Sequence, residues 1–219
     1  MKQEVLMSYV DHTLLSPTAT WEGIRQICEE AIAYGTASVC IPPSYCGRVH
    51  AAFGDKLTIC TVIGFPLGYS VTAAKVAEIE QGLLDGVSEF DMVVNLTDVK
   101  NGNFAAVLQE IKMLKCAVGS KILKVIIETC YLTDAEKIEL CKAVTEAGAD
   151  FIKTSTGFGT GGATLADIRL FKAHIGPKVR IKAAGGIRSL EDMERFIEEG
   201  VSRIGTSSAI KLLSGGNES

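Results

Sequence analysis

Eight short apolar, β-branched runs recur along the chain, at residues 9–13, 36–41, 57–63, 89–95, 122–128, 150–155, 179–183 and 202–206, with helical segments between them. Run starts are spaced by roughly 20 to 35 residues, room for a crossover helix and two loops, and such connections join parallel strands. Parallel strands covered by helices on the outside read as nearly continuous apolar stretches, as Met92-Val93-Val94 and Val125-Ile126-Ile127 do. Eight such units with no residues to spare predict a closed (β/α)8 barrel of the TIM type, in α/β class, preceded by a short N-terminal extension. The whole chain, 1–219, is expected to form this one domain.

Helix boundaries agree with that phasing. Thr133 with Glu136, Thr164 with Asp167 and Ser189 with Asp192 have the spacing of a capping box or its aspartate variant, each just after an expected strand. Gly35, Gly86, Gly148 and Gly200 each close an amphipathic run before the next strand, where a left-handed cap suits glycine. The units share no repeated signature, which disfavours a solenoid. The tail 214–219, SGGNES, is expected to be mobile.

Composition narrows the function classes. A formal net charge of -4 without a basic block gives a polyphosphate backbone nothing to bind, so no nucleic-acid partner is expected. No apolar stretch approaches the ~18 residues of a membrane span, and the start lacks the pattern of a secretory leader, so the expected location is the cytoplasm. The seven cysteines, at 28, 40, 46, 60, 116, 130 and 141, form neither CxxC nor CxxH pairs, and His12, His50 and His174 are dispersed. Buried thiols, no disulfide framework and no metal are therefore expected.

In a barrel of this kind catalytic groups gather at the C-terminal ends of the strands, so charges late in apolar runs are the candidates. These are Asp91, Lys124, Glu128, Lys153 and Lys182. A lysine inside an apolar strand is costly to bury as a cation; it either reaches solvent or is a functional amine. Lys153 and Lys182 lie on adjacent strands, each before a Gly-containing turn. Two like charges about 6 Å apart at an effective dielectric of about 20 repel by roughly 3 kcal/mol, about two pKa units, which brings one amine toward neutrality. A neutral amine is the nucleophile that attacks a carbonyl to form an imine. Asp91 is either a proton-transfer group or a structural counter-ion, and Asp11 either a weaker site candidate or a helix cap.

Three turns follow the last three strands: GFGTGG (157–162), GGIR (185–188) and GTSS (205–208). Glycine lets backbone N–H groups approach an anion, so the succession points to a phosphate site, with Arg188, Ser207 and Ser208 as further donors. The first turn matches GxGxxG, but it lies deep in the chain, and the next strand carries Lys182 where a ribose-binding acid belongs; a nicotinamide dehydrogenase is disfavoured. A phosphate-binding barrel isomerase working by acid–base chemistry is the alternative to an imine-forming aldolase.

The segments FIKTSTG (151–157), IKAAGGIR (181–188) and LKVIIE (123–128) resemble the signatures of the deoxyribose-phosphate aldolases, and DHTLL (11–15), SVCIP (38–42) and VIGFP (62–66) extend the likeness over nearly the whole chain. The resemblance implies a class I lyase that reversibly cleaves 2-deoxy-D-ribose 5-phosphate to D-glyceraldehyde 3-phosphate and acetaldehyde with no metal or organic cofactor. It implies Lys153 as the Schiff-base lysine, Lys182 as the second lysine and Asp91 as the proton-relay acid. It places Gly157, Gly185, Gly186, Gly205, Ser207 and Ser208 at the substrate phosphate. Its partners are the small phosphorylated sugar and aldehydes, with a homodimer or homotetramer expected. Two departures stand out: Phe158 where some members carry lysine, and a tail without the tyrosine that some members have.

Overall fold

The computed structural model describes residues 1–213; the expectations for the tail and its lack of a tyrosine lie outside the described residues. Its strands are β1 (Val10–Thr13), β2 (Ser38–Ile41), β3 (Ile59–Ile63), β4 (Glu89–Val93), β5 (Ile122–Ile126), β6 (Phe151–Lys153), β7 (Arg180–Ala184) and β8 (Arg203–Thr206). All pair in parallel in sequence order and the ring closes between β8 and β1, as the eight-run pattern predicts. The α-helices are α1 (Gln3–Met7), α2 (Trp21–Tyr34), α3 (Cys46–Phe53), α4 (Thr72–Leu84), α5 (Leu96–Lys100), α6 (Phe104–Val118), α7 (Asp134–Glu146), α8 (Leu165–His174), α9 (Leu190–Glu198) and α10 (Ala209–Leu213). The first of these is the expected N-terminal extension, holding Leu6 and Met7 buried ahead of β1.

Strand side chains alternate between two environments. Val39, Ile41, Phe90, Met92, Leu123, Val125, Ile152, Ile181 and Ile204 point outward and join the helices in one apolar core. Burying an apolar side chain of this size contributes about 1.5–3 kcal/mol, so the layer between strands and helices carries the stability of the barrel. The alternate residues face the axis and are largely polar: Asp11, Ser38, Glu89, Asp91, Lys124, Lys153, Lys182 and Arg203 are all buried. Apolar residues share that interior: Cys40, Cys60 and Val62 form one small group, and Phe151, paired with Lys124, stacks under the Arg203 guanidinium.

Local signals fix the helix ends. Thr133 and Glu136 close a full capping box on α7, and the side chains of Thr164 and Ser189 accept from the N–H groups of Asp167 and Asp192. Gly35 caps α2 in the left-handed region with φ 63°. Two expectations need correction. The run 122–128 overshoots, because the ladder ends at Ile126 and Glu128 turns to φ 53°, so Glu128 lies beyond the strand rather than on it. Among the cysteines, which are all free, Cys116 is exposed and Cys130 half-buried, since neither lies in a strand or on a helix face that meets the core.

Candidate active site

Register places the charged residues at one level of the barrel. Asp91 on β4 sits beside Lys124 on β5, Lys153 on β6 beside Lys182 on β7, Lys182 beside Arg203 on β8, and Gly205 on β8 beside Asp11 on β1. Because side chains at paired positions point the same way, these groups meet on the axis. Lys153 Nζ and Lys182 Nζ each donate to Asp91 Oδ2 at 2.7 Å, and Lys124 Nζ donates to Asp91 Oδ1 at 2.8 Å. Lys182 also donates to Asp11, whose other oxygen accepts from Arg203 at 2.6 Å and from the Ser38 hydroxyl at 2.7 Å. Glu89 completes the group, 2.7 Å from Lys124 and 3.0 Å from Arg203.

Three carboxylates thus face four cations, almost wholly out of water. Burial alone would push the Asp91 carboxyl up, but Lys124, Lys153 and Lys182 hold it well below the usual carboxylate range. Asp11 is lowered for the same reason, against its burial, by Lys182, Lys124 and Arg203. Burial works against the charge on Lys182, yet Asp11 and Asp91 more than offset it and raise its pKa above the ordinary lysine range. Mutual repulsion was expected to bring one of the two lysines toward neutrality; Lys182 is not that one, because its carboxylate neighbours outweigh the repulsion. Asp11 is a member of this network rather than a cap, as α2 is capped by Thr20.

A cavity of about 450 Å³ opens at the C-terminal end of the barrel, and Lys153 lies in its wall. Among the described residues Lys153 is the one member of the ionic cluster that lines it; Asp91 and Lys182 lie behind that amine. Gly157, Gly185, Gly186, Gly205, Ser207 and Ser208 all line the same cavity, with Arg188. Gly185 adopts φ 83°, a conformation that opens its backbone to the cavity and that L residues avoid. At Gly205 a Cβ would stand 3.1 Å from Lys182 Cε, so the missing side chain also makes room for the second lysine. Ser207 is exposed, whereas Ser208 is tied to the turn itself, its N–H donating to Thr206 Oγ1 at 3.2 Å. Phe158 forms a half-exposed wall, edge-on to Phe65 with ring centroids 5.3 Å apart.

Glu89 and Arg203 escaped the sequence reading as site members. The available signal was the strand period, since Glu89 is two residues before Asp91 and Arg203 two before Gly205. Thr13, Leu14, Leu15 and Ser16 also line the cavity. Two groups could offer a metal three ligands, Cys40–Cys60–Asp91 and Asp11–Cys60–Glu89, with ligand atoms within 4.8 Å of one another. In both, the carboxylates are already bound by lysine or arginine. Burial raises the Cys60 thiol well above its usual pKa, which disfavours the thiolate that a metal would need.

The DeoC/LacD family aldolase model matches residues 5–216. Over 215 residues the chain is 63% identical to a deoxyribose-phosphate aldolase of Clostridium botulinum (strain Eklund 17B / Type B), covering 98% of this chain and 97% of that one. It is 56% identical over 208 residues to a deoxyribose-phosphate aldolase of Clostridioides difficile (strain 630), covering 95% of each. The tetrameric deoxyribose phosphate aldolase of Aeropyrum pernix superposes with a TM-score of 0.90 at 34% identity, over 98% of this chain and 92% of that one. Among the described residues no helix is long and apolar enough to cross a membrane.

Proposed function

The chain belongs to the DeoC/LacD family of aldolases, and on that premise we propose that it is a class I deoxyribose-phosphate aldolase in which Lys153 forms the Schiff base. The observation that carries the assignment of Lys153 is its position: its amine faces the cavity on one side and Asp91, backed by Lys182, on the other. Lys153 gives up a proton through water, its neutral nitrogen adds to the C1 aldehyde of open-chain 2-deoxy-D-ribose 5-phosphate, and return of a proton to the carbinolamine hydroxyl lets water leave and gives an iminium. The C2–C3 bond then breaks as the C3 hydroxyl passes its proton through water to the Asp91 carboxylate; the C2–C3 electron pair flows into the iminium and leaves an enamine on Lys153. D-glyceraldehyde 3-phosphate departs, C2 of the enamine takes a proton, and water releases acetaldehyde.

Asp91 serves these proton transfers through water, at the carbinolamine, at the C3 hydroxyl and at C2 of the enamine. With three ammonium groups around it the resting carboxylate is a weak base, but conversion of Lys153 to a neutral carbinolamine or enamine removes one of those charges. Its basicity then rises at the step that needs a proton acceptor. Lys182, kept cationic by Asp11 and Asp91, acts as the fixed positive charge beside the reacting nitrogen. An acid–base isomerase would need a carboxylate or histidine facing the substrate, and among the described residues the cavity lining holds neither. The bond changes above require no metal and no organic cofactor.

Incubation with deoxyribose 5-phosphate and borohydride is expected to leave a reduced adduct that peptide mapping locates on Lys153. An adduct elsewhere, or none while a control imine-forming enzyme is trapped, would remove the assignment. The glycine turns with Ser207, Ser208 and the exposed Arg188 are the proposed phosphate cradle. Arg188→Ala is expected to raise KM for the phosphorylated sugar about tenfold while leaving that for unphosphorylated 2-deoxyribose unchanged. Equal shifts for both sugars would place Arg188 outside the phosphate site. The tetrameric Aeropyrum pernix relative supports a homo-oligomer here, and the family's metabolic chemistry supports work in the cytoplasm as one barrel domain.

A further inference from the structure

Glu128 has no part in the proton transfers above, yet it is the one non-glycine residue with positive φ among the described residues, and it is buried. Its flanking N–H groups explain how that backbone is held. Ile127 donates to the Lys153 carbonyl at 3.1 Å and Thr129 to the Thr154 carbonyl at 3.0 Å, so the residue between them is pinned across the end of β6. Side chains held in this region are strained, and such strain persists where the surroundings over-determine it.

The carboxylate that results accepts chiefly from Thr156, with the Cys130 thiol a further donor to Oε1 at 4.0 Å. Both its oxygens accept from the Thr156 N–H, at 3.2 and 3.3 Å, and Oε2 also accepts from the Thr156 hydroxyl. Thr156 Oγ1 in turn accepts from the Phe158 N–H at 3.0 Å. The turn beyond rests directly on the acid, since a Cβ added at Gly159 would stand 3.1 Å from Glu128 Cδ. Thr156, Gly157 and Phe158 line the cavity beside Lys153.

From this geometry we infer that Glu128 is a positioning residue, which holds the Thr156–Phe158 turn in place and so sets affinity for the phosphate-bearing half of the substrate. The inference rests on the aldolase reading, which makes that half and the two-carbon half separable. Acetaldehyde reaches Lys153 but has nothing to place in the turn.

The test compares Glu128→Gly and Glu128→Gln with the wild type. Glycine adopts positive φ freely and removes the carboxylate, so Glu128→Gly is expected to keep or raise Tm while KM for deoxyribose 5-phosphate rises about tenfold and kcat stays within about twofold. Glutamine keeps one acceptor for the Thr156 N–H, and a smaller rise in KM is expected from it. Borohydride trapping of acetaldehyde on Lys153 is expected to proceed in all three proteins. An unchanged KM in Glu128→Gly, or a fall in kcat with KM constant, overturns the positioning role. If Glu128→Gly melts lower than the wild type, the KM of Glu128→Gln decides the matter by the same criterion. Failure to trap acetaldehyde in the wild type would count against the Schiff base on Lys153, and the KM comparison would still decide the role of Glu128.

Discussion

Lys153→Ala is expected to lower kcat/KM for the proposed cleavage by about ten-thousand-fold or more and to leave the barrel folded. The rate loss follows from removing the covalent step: without an imine the C2–C3 bond has no electron sink, and the positioned turns can only bind. Folding survives because Asp91 keeps Lys124 at 2.8 Å and Lys182 at 2.7 Å after the third ammonium is gone. Three carboxylates then face three cations, so no buried charge is stranded. Lys153→Arg is the companion variant, since a guanidinium preserves the charge but is not a nucleophile, and it should be equally inactive. Retention of more than about a tenth of the wild-type rate in either variant would sink the assignment, and borohydride mapping would then show whether Lys182 has taken over. Such a takeover requires the substrate to pass the cavity wall, as Lys182 is fully buried.

The barrel was legible because parallel strands shielded by helices leave long apolar runs; seven of the eight runs contain a strand of the ring whole, and the run 179–183 falls one residue short of the end of β7. Run ends were less legible: Val94 and Ile127 remain apolar and buried beyond the ladder, so composition does not mark where pairing stops. Lys153, Lys182 and Asp91 stood out because a charge within such a run is costly. What surrounds them was hidden, for the partners come together only when the ring closes. Lys182 and Asp11 are 171 positions apart, and Arg203 and Asp11 192, contacts that no local window contains. The electrostatics were misjudged for the same reason: Asp91 and Asp11 were both candidates, but that both contact Lys182 and outweigh the lysine–lysine repulsion shows only in the closed ring. Glu128 was noticed as a charge late in a run, but its purpose depends on a backbone turn that its neighbours impose.

Asp91→Asn is expected to be the costliest of the conservative replacements, in stability as well as rate. It leaves two carboxylates against four cations in a dry interior, and the amide N–H2 must face a lysine that donates as well. Stranding a buried charge in this way costs about 3–5 kcal/mol, on the order of 10 °C in Tm for a chain of this length. Activity is expected to fall by about a hundred- to a thousand-fold, as the group that serves the proton transfers of the cleavage is lost. The pH dependence separates this cause from loss of packing. Asp91 and Asp11 have folded pKa values below their unfolded ones, so their stabilising contribution is fully present above the ordinary carboxylate range and is lost as pH falls toward the depressed folded values. Lys182 has the opposite sign: its contribution is present below the ordinary lysine pKa and fades as pH rises through the folded one. Melting the wild type and Asp91→Asn side by side should therefore show the widest gap near neutrality, narrowing as pH drops below about 4. A gap that stays constant down to the lowest pH would mean that shape, not charge, is what Asp91 contributes, and the ionic account of the barrel interior would have to be given up.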